Sequence, residues 1–216
     1  AFSSASSLQG NWGYASFPDS YWPIAGDVWV NASLSGQSDW SVGSYNYQAL
    51  VHEIGHAMGL KHPFEKAPFI ASALNNRLFT VMSYTDAPKS LFVRVNTDSS
   101  GSTTWASSGI NPDGPMLLDI QAMQYMYGAN EKFNAGDTIY TFDPSEPFYK
   151  TIWDGSGNDT ISVANFVKAC QLDLNAGHFS KITIESDSTA GYNWITQPPV
   201  GTYDGTDALC IAYNCV

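Results

Sequence analysis

Three of the four histidines in this chain fall in one short stretch, His52-Glu53-Ile54-Gly55-His56-Ala57-Met58-Gly59-Leu60-Lys61-His62. On a helix, His52 and His56 lie one turn apart on the same face, so two imidazoles present nitrogen from one side. Zinc takes nitrogen ligands at about 2.0–2.1 Å in a tetrahedral set, and a catalytic site leaves one position open. Glu53 follows the first ligand, which puts a carboxylate beside that open position, where it can take a proton from a water. Gly59 is where the helix must stop, because glycine enters the left-handed conformation cheaply. The chain then turns back and brings His62 to the same metal. A bare H-E-x-x-H turns up by chance in unrelated helices; the added glycine and third histidine make coincidence rare.

The surrounding residues predict the elements that hold this set. Leu50, Val51, Ile54, Ala57, Met58 and Leu60 are apolar at helical spacing, and Ser44 or Asn46 caps the start. Residues 1–12 read as a Ser-rich exposed lead-in. Gly13 to Pro18 and Asp27 to Asn31 read as strands, and 33–43 as a polar loop. Residues 64–79 form a connection. Glu65 follows His62 closely but is not assigned as a ligand, because the histidine set is complete. Residues 85–115 read as irregular loop around a cleft. Met116 to Tyr127 is a helix with Leu117, Ile120, Met123 and Tyr127 near one face, stopped by Gly128. From Lys132 onward the chain shifts to short strands at Thr138–Phe142, Thr151–Trp153, Thr160–Val163, Gln171–Leu174, Lys181–Ile184 and Leu209–Ala212.

The extended histidine motif resembles that of the metzincin metalloproteases, and Thr80-Val81-Met82-Ser83-Tyr84 resembles their methionine turn. Pro63, directly after the third histidine, is similar to the serralysin branch. So are the helix Leu117-Leu118-Asp119-Ile120-Gln121-Ala122-Met123-Gln124-Tyr125-Met126-Tyr127-Gly128 and the segments Gly136-Asp137-Thr138-Ile139-Tyr140 and Ile152 to Thr160. The resemblance covers most of the chain from about Gly13. It implies an α+β fold: a metzincin-like zincin domain with a mixed sheet, active-site helix, methionine turn and following helix, leading into a short-stranded β-rich segment. It divides the chain into 1–131, part of a catalytic domain, and 132–216, a calcium-binding start of a β-roll. It implies that Asp27–Asn31 is the antiparallel edge strand lining the cleft, that Met82 packs beneath the zinc, and that Tyr84 stabilises the oxyanion. The family's helix and earlier strands are not visible before Gly13, and no G-G-x-G-x-D repeat follows. A processed or incomplete fragment is therefore expected, with a missing N-terminal segment of the same protein among its partners.

Asp154-Gly155-Ser156-Gly157-Asn158-Asp159 places carboxylates and carbonyls in one tight turn. Calcium takes about 6–8 such oxygens, and an Asx-rich turn without metal fits the local sequence equally well. By resemblance, Asp154, Ser156 and Asp159 join Asn134, Gly136 and Thr138 at one calcium, while Gly157 with Asp159 begins a second site.

Of 216 residues, 44% are hydrophobic and only 13% charged, with net charge −11. That allows a core with a surface rich in Ser, Thr, Asn, Gly and Tyr. Nine basic residues give no nucleic-acid footprint, and no apolar run reaches membrane-spanning length. Cys210 and Cys215 either pair across a turn or stay buried thiols; Cys170 reads as a small core residue and His178 as a surface one. The expected function is a secreted, extracellular zinc metalloendopeptidase acting on protein or peptide substrates, with Zn(2+) and Ca(2+) as cofactors. The rival is a calcium-binding structural or adhesive module with an inactive zinc site.

Overall fold

The computed structural model describes residues 2–5 (as backbone), 8, 10–31, 39–187 and 201–215. The predicted polar loop lies outside these residues up to position 38.

The first sheet has three short strands, β1 (Phe2–Ala5), β2 (Gly13–Ala15) and β3 (Val28–Asn31), in the order β1-β3-β2. β1 runs parallel to β3, with Phe2 opposite Val28, and β2 runs antiparallel to it, with Tyr14 opposite Trp29. The rings of that last pair sit 5.7 Å apart, the kind of cross-strand contact that holds a short ladder. Two sequence expectations change here. The lead-in contains a strand, and Val28–Asn31 is central rather than at the edge, because it has a ladder on both sides. Asn31 is buried and bonds back to Asn11 and Trp12 main-chain oxygens, both at 2.9 Å.

Helix α1 (Tyr45–Ala57) starts at Ser44, whose hydroxyl accepts from Tyr47 N–H at 3.1 Å. Asn46 is not the cap; it is buried and accepts from Trp12 Nε1–H at 2.9 Å. The helix ends at Gly59, at φ +102°, with Gly59 N–H donating to His56 O and Leu60 N–H to Gly55 O. These paired bonds close the last turn and need the left-handed residue. The buried face carries Gln48, Ala49, His52, Gly55 and His56, while Met58 is exposed. The helix thus buries polar side chains where apolar spacing alone suggested a purely hydrophobic stripe.

Residues 85–115 are not irregular. They hold a hairpin of two seven-residue strands, β4 (Leu91–Thr97) and β5 (Thr103–Gly109). Its tip is set by Asp98, whose carboxylate accepts from Ser100 N–H and Ser102 N–H, with Gly101 at φ +85°. The outer edge of β4 continues onto distant chain: Tyr203 N–H donates to Leu91 O at 2.7 Å and Asp187 N–H to Val93 O at 2.9 Å.

Helix α2 (Leu117–Tyr127) is followed by Gly128 at φ +83°. Its C-terminal end is exposed, so Tyr127 does not join the buried face; its hydroxyl donates to Met58 O at 2.7 Å across the end of α1. Beyond it lie β6 (Ile139–Thr141), β7 (Lys150–Ile152), β8 (Thr160–Ser162), β9 (Phe179–Ser180) and β10 (Leu209–Ile211). β6 pairs with β8, and β7, β10 and β9 form a second three-stranded sheet. The strands expected at Gln171–Leu174 and Lys181–Ile184 reduce to one bridge, Gln171 with Lys181. Ile182 and Ile184 are buried in the core, but Ile182 N–H bonds Gly205 O rather than a strand.

One hydrophobic cluster runs from Leu60, Val81 and Met82 to Tyr149, Ile182, Tyr203 and Leu209. Cys170, Cys210 and Cys215 form no disulfide. Cys210 sits inside β10, where burial pushes its thiol up to about 12. Cys215 turns elsewhere, its Sγ accepting from Asp154 N–H at 3.2 Å, so the two do not pair. Cys170 packs against the core, and His178 is an exposed side chain 2.9 Å from Asp173. No helix among the described residues is long and apolar enough to cross a membrane.

Candidate metal centre

The turn at Gly59 does what its spacing predicts. His62 Nε2 lies 3.1 Å from His52 Nε2 and 3.0 Å from His56 Nε2. All three histidines are buried. Among the described residues they are the one group of three or more His, Cys, Asp or Glu side chains close enough to share an ion.

Two of the rings are held by their other nitrogen. His52 Nδ1 lies 2.8 Å from Val81 O, and His56 Nδ1 lies 2.7 Å from Leu60 O. Carbonyls only accept, so both Nδ1 atoms carry the proton and both Nε2 lone pairs face the cluster. Glu65 Oε1 stands 2.7 Å from His62 Nδ1, close but off the N–H direction. Glu65 therefore contacts the far side of the third histidine and does not join the cluster. Burial drives the His52 pKa down to about 4 and lowers that of His56, against the opposing pull of their backbone bonds. Both are therefore neutral, the form that binds a metal. Tetrahedral ligands at zinc distances stand about 3.3 Å apart, so converging ring nitrogens at 3.0–3.1 Å fit that ion.

Glu53 lines the same cleft, a volume of about 570 Å³, together with Tyr84, Gly13 and Arg77. Burial raises its carboxyl pKa to about 7, and a divalent cation nearby pulls such a group back toward its charged form. Strand β2 lies directly against it: a Cβ on Gly13 would sit 2.9 Å from Glu53 Cγ. β2, not β3, is thus the antiparallel strand that borders the cleft.

Met82 is 2% exposed and lies under α1. A Cβ on Gly55 would meet its Sδ at 2.5 Å, which explains a glycine in mid-helix despite a cost of about 0.5–1 kcal/mol. Tyr84 stacks on His52, with centroids 5.7 Å apart and planes at 26°, and approaches His62 at 4.6 Å. Its pKa is raised by burial, then by the charges of Glu53 and Glu65, so at neutral pH it keeps its proton.

The residues matched to calcium are also brought together. Thr138 N–H donates to Asp159 Oδ1 at 2.8 Å, and Thr138 Oγ1–H to Gly136 O at 3.0 Å. Gly157, at φ +136°, leaves room for Gly136 O, which a Cβ there would approach to 2.7 Å. Asn134 Nδ2–H donates to Tyr140 OH, which donates in turn to Asp154 Oδ2, and Ser156 N–H donates to Asp154 Oδ1.

Sequence reasoning overlooked Asp119. It is 3% exposed and accepts from Thr80 Oγ1–H, Val81 N–H and Met116 N–H. An Asp three residues after the cap residue of a helix was the available signal.

Helix, turn and histidine cluster define a candidate metal site with the H-E-x-x-H pattern in a mixed α/β chain. No family model matches the chain, but curated proteins do. It is 31% identical over 193 residues to the serralysin of Proteus mirabilis, covering 78% of this chain and 37% of that protein. It is 32% identical over 200 residues to the serralysin of Photorhabdus luminescens, covering 82% and 38%. With metalloprotease AprA of Pseudomonas entomophila it shares 32% over 179 residues, covering 73% and 35%. The chain is a homologue of the serralysin-type metalloproteases over most of its own length, and it spans well under half of theirs.

Proposed function

We propose that this chain carries the zinc centre of a secreted, extracellular metalloendopeptidase that hydrolyses internal peptide bonds of proteins. The observation behind this reading is the convergence of three buried histidine Nε2 atoms with a half-buried carboxylate in one cleft. His52, His56 and His62 would hold the zinc. Bound there, zinc would supply Lewis acidity, lowering the pKa of a water and polarising a carbonyl. Glu53 takes a proton from the attacking water at its carboxylate and returns it to the departing amine. Tyr84 donates its phenolic hydrogen toward the carbonyl oxygen as charge grows there. Met82 and Gly59 shape the site without touching substrate. The rival, a structural module with an idle zinc site, gives Glu53 no role.

Metal analysis after exhaustive dialysis tests the centre. We expect one zinc per chain, lost in His56→Ala, and proteolysis abolished by a chelator but not by a serine-protease inhibitor. Less than half an equivalent in the parent, or unchanged zinc in His56→Ala, sinks the assignment.

Calcium belongs to the same reading. The carbonyl and carboxylate oxygens of Asn134, Gly136, Thr138, Asp154, Ser156 and Asp159 suit a hard cation, with Gly157 opening the second position. The ion would serve stability, since a ligand bound only to the folded state stabilises it by mass action. Melting should rise with added calcium in the parent and respond less in Asp159→Ala; equal responses would remove the site. The two-part organisation, catalytic over 1–131 and calcium-binding over 132–216, completes the proposal.

A further inference from the structure

The scheme above leaves one buried charge without a task. Asp119 has no cationic partner among its hydrogen bonds. Three donors converge on its two oxygens: Thr80 Oγ1–H at 2.6 Å, Val81 N–H at 2.8 Å and Met116 N–H at 2.9 Å. An ionised carboxylate accepts from all three at once, with both main-chain N–H groups on Oδ2 and the hydroxyl on Oδ1. Burial raises its pKa to about 6, and the side chain remains an anion at neutral pH.

The Val81 peptide carries the link onward. Its N–H donates to Asp119 Oδ2, and its carbonyl accepts from His52 Nδ1–H at 2.8 Å and from Gln48 Nε2–H at 3.4 Å. Hydrogen bonds in series polarise one another. A peptide whose N–H points at a carboxylate has a more negative oxygen and grips Nδ1–H more firmly. That fixes the tautomer and ring plane of His52 and makes its Nε2 a stronger donor. A carboxylate bonded directly to a ligating imidazole does the same; here a peptide lies between them. His56 has a plain helix-end carbonyl and His62 has Glu65 directly, so only His52 is reached this way among the three.

We propose that Asp119 is a positioning residue for the metal centre, acting on His52 through the Val81 peptide; this rests on the zinc reading above.

The test is zinc affinity of the folded full chain by chelator competition, with the visible spectrum of the cobalt-loaded protein alongside. Asp119→Asn and Asp119→Glu are compared with Val93→Ala, a buried truncation in β4 that destabilises the fold but lies outside the chain of bonds. We expect the Asp119 variants to bind zinc about 10–100-fold more weakly than the parent and to shift the cobalt bands, while Val93→Ala stays within about threefold. Folding is judged on the same samples by near-ultraviolet circular dichroism. Should Asp119→Asn not fold, Asp119→Glu decides, since it keeps the charge and displaces it. A folded Asp119 variant matching Val93→Ala in affinity and spectrum overturns the proposal. A parent that binds less than half an equivalent of zinc sinks the zinc reading itself, and this inference with it.

Discussion

Glu53→Gln should lower peptide hydrolysis by at least about 10²–10⁴-fold while one zinc stays bound. Glutamine keeps the size of the side chain and removes the proton acceptor. The three histidines are untouched, and each keeps its Nδ1 contact to Val81, Leu60 or Glu65. The cleft should also keep its shape, because Gly13 still has the same side chain to lie against. Steady-state kinetics on a quenched peptide, with zinc measured on the same samples, would decide it. Retention of more than about a tenth of parental activity with zinc in place would show that Glu53 is not the base.

Tyr84→Phe should fail differently. The phenyl ring can keep its stack on His52 and its approach to His62, so only the hydroxyl is lost. Losing one oxyanion donor costs about 10²–10³-fold in kcat. KM should hold, because the bond matters chiefly in the transition state. An effect confined to KM would make Tyr84 a substrate contact instead. The raised pKa of the phenol supports the donor role, since a neutral hydroxyl has a hydrogen to give.

The metal set was legible because its geometry is local. His52 and His56 differ by one helical turn, Gly59 marks the reversal, and eleven residues hold all three histidines. What supports that set is remote. Asp119 lies 38 positions from Val81, and nothing in its own neighbourhood announces which peptide it touches. Glu65 was visible beside His62, but its role depends on which ring nitrogen the turn offers it. Hairpin Leu91–Gly109 was missed because β5 reads Thr-Thr-Trp-Ala-Ser-Ser-Gly and is exposed at nearly every position, so it has no alternation to detect. β1 escaped for a similar reason: a parallel pairing with Val28–Asn31 cannot be read from a Ser-rich run. The edge strand was misplaced because Val28–Asn31 alternates well, whereas being at an edge depends on which strands lie beside it.

The main-chain bonds between β4 and the segment around Tyr203 bear on the order in which the protein folds. They join residues about a hundred positions apart, and such a loop must close before its contacts can reward the loss of chain freedom. The ligand helix can form early from its own cap and turn. Met82 beneath it shares one cluster with Ile182, Tyr203 and Leu209. A nascent chain therefore makes its three histidines, and Met82 beneath them, long before the outer residues of the cluster that Met82 joins. The last residues of the cluster beneath the metal centre, Tyr203 and Leu209, are supplied by the last part of the chain to be made.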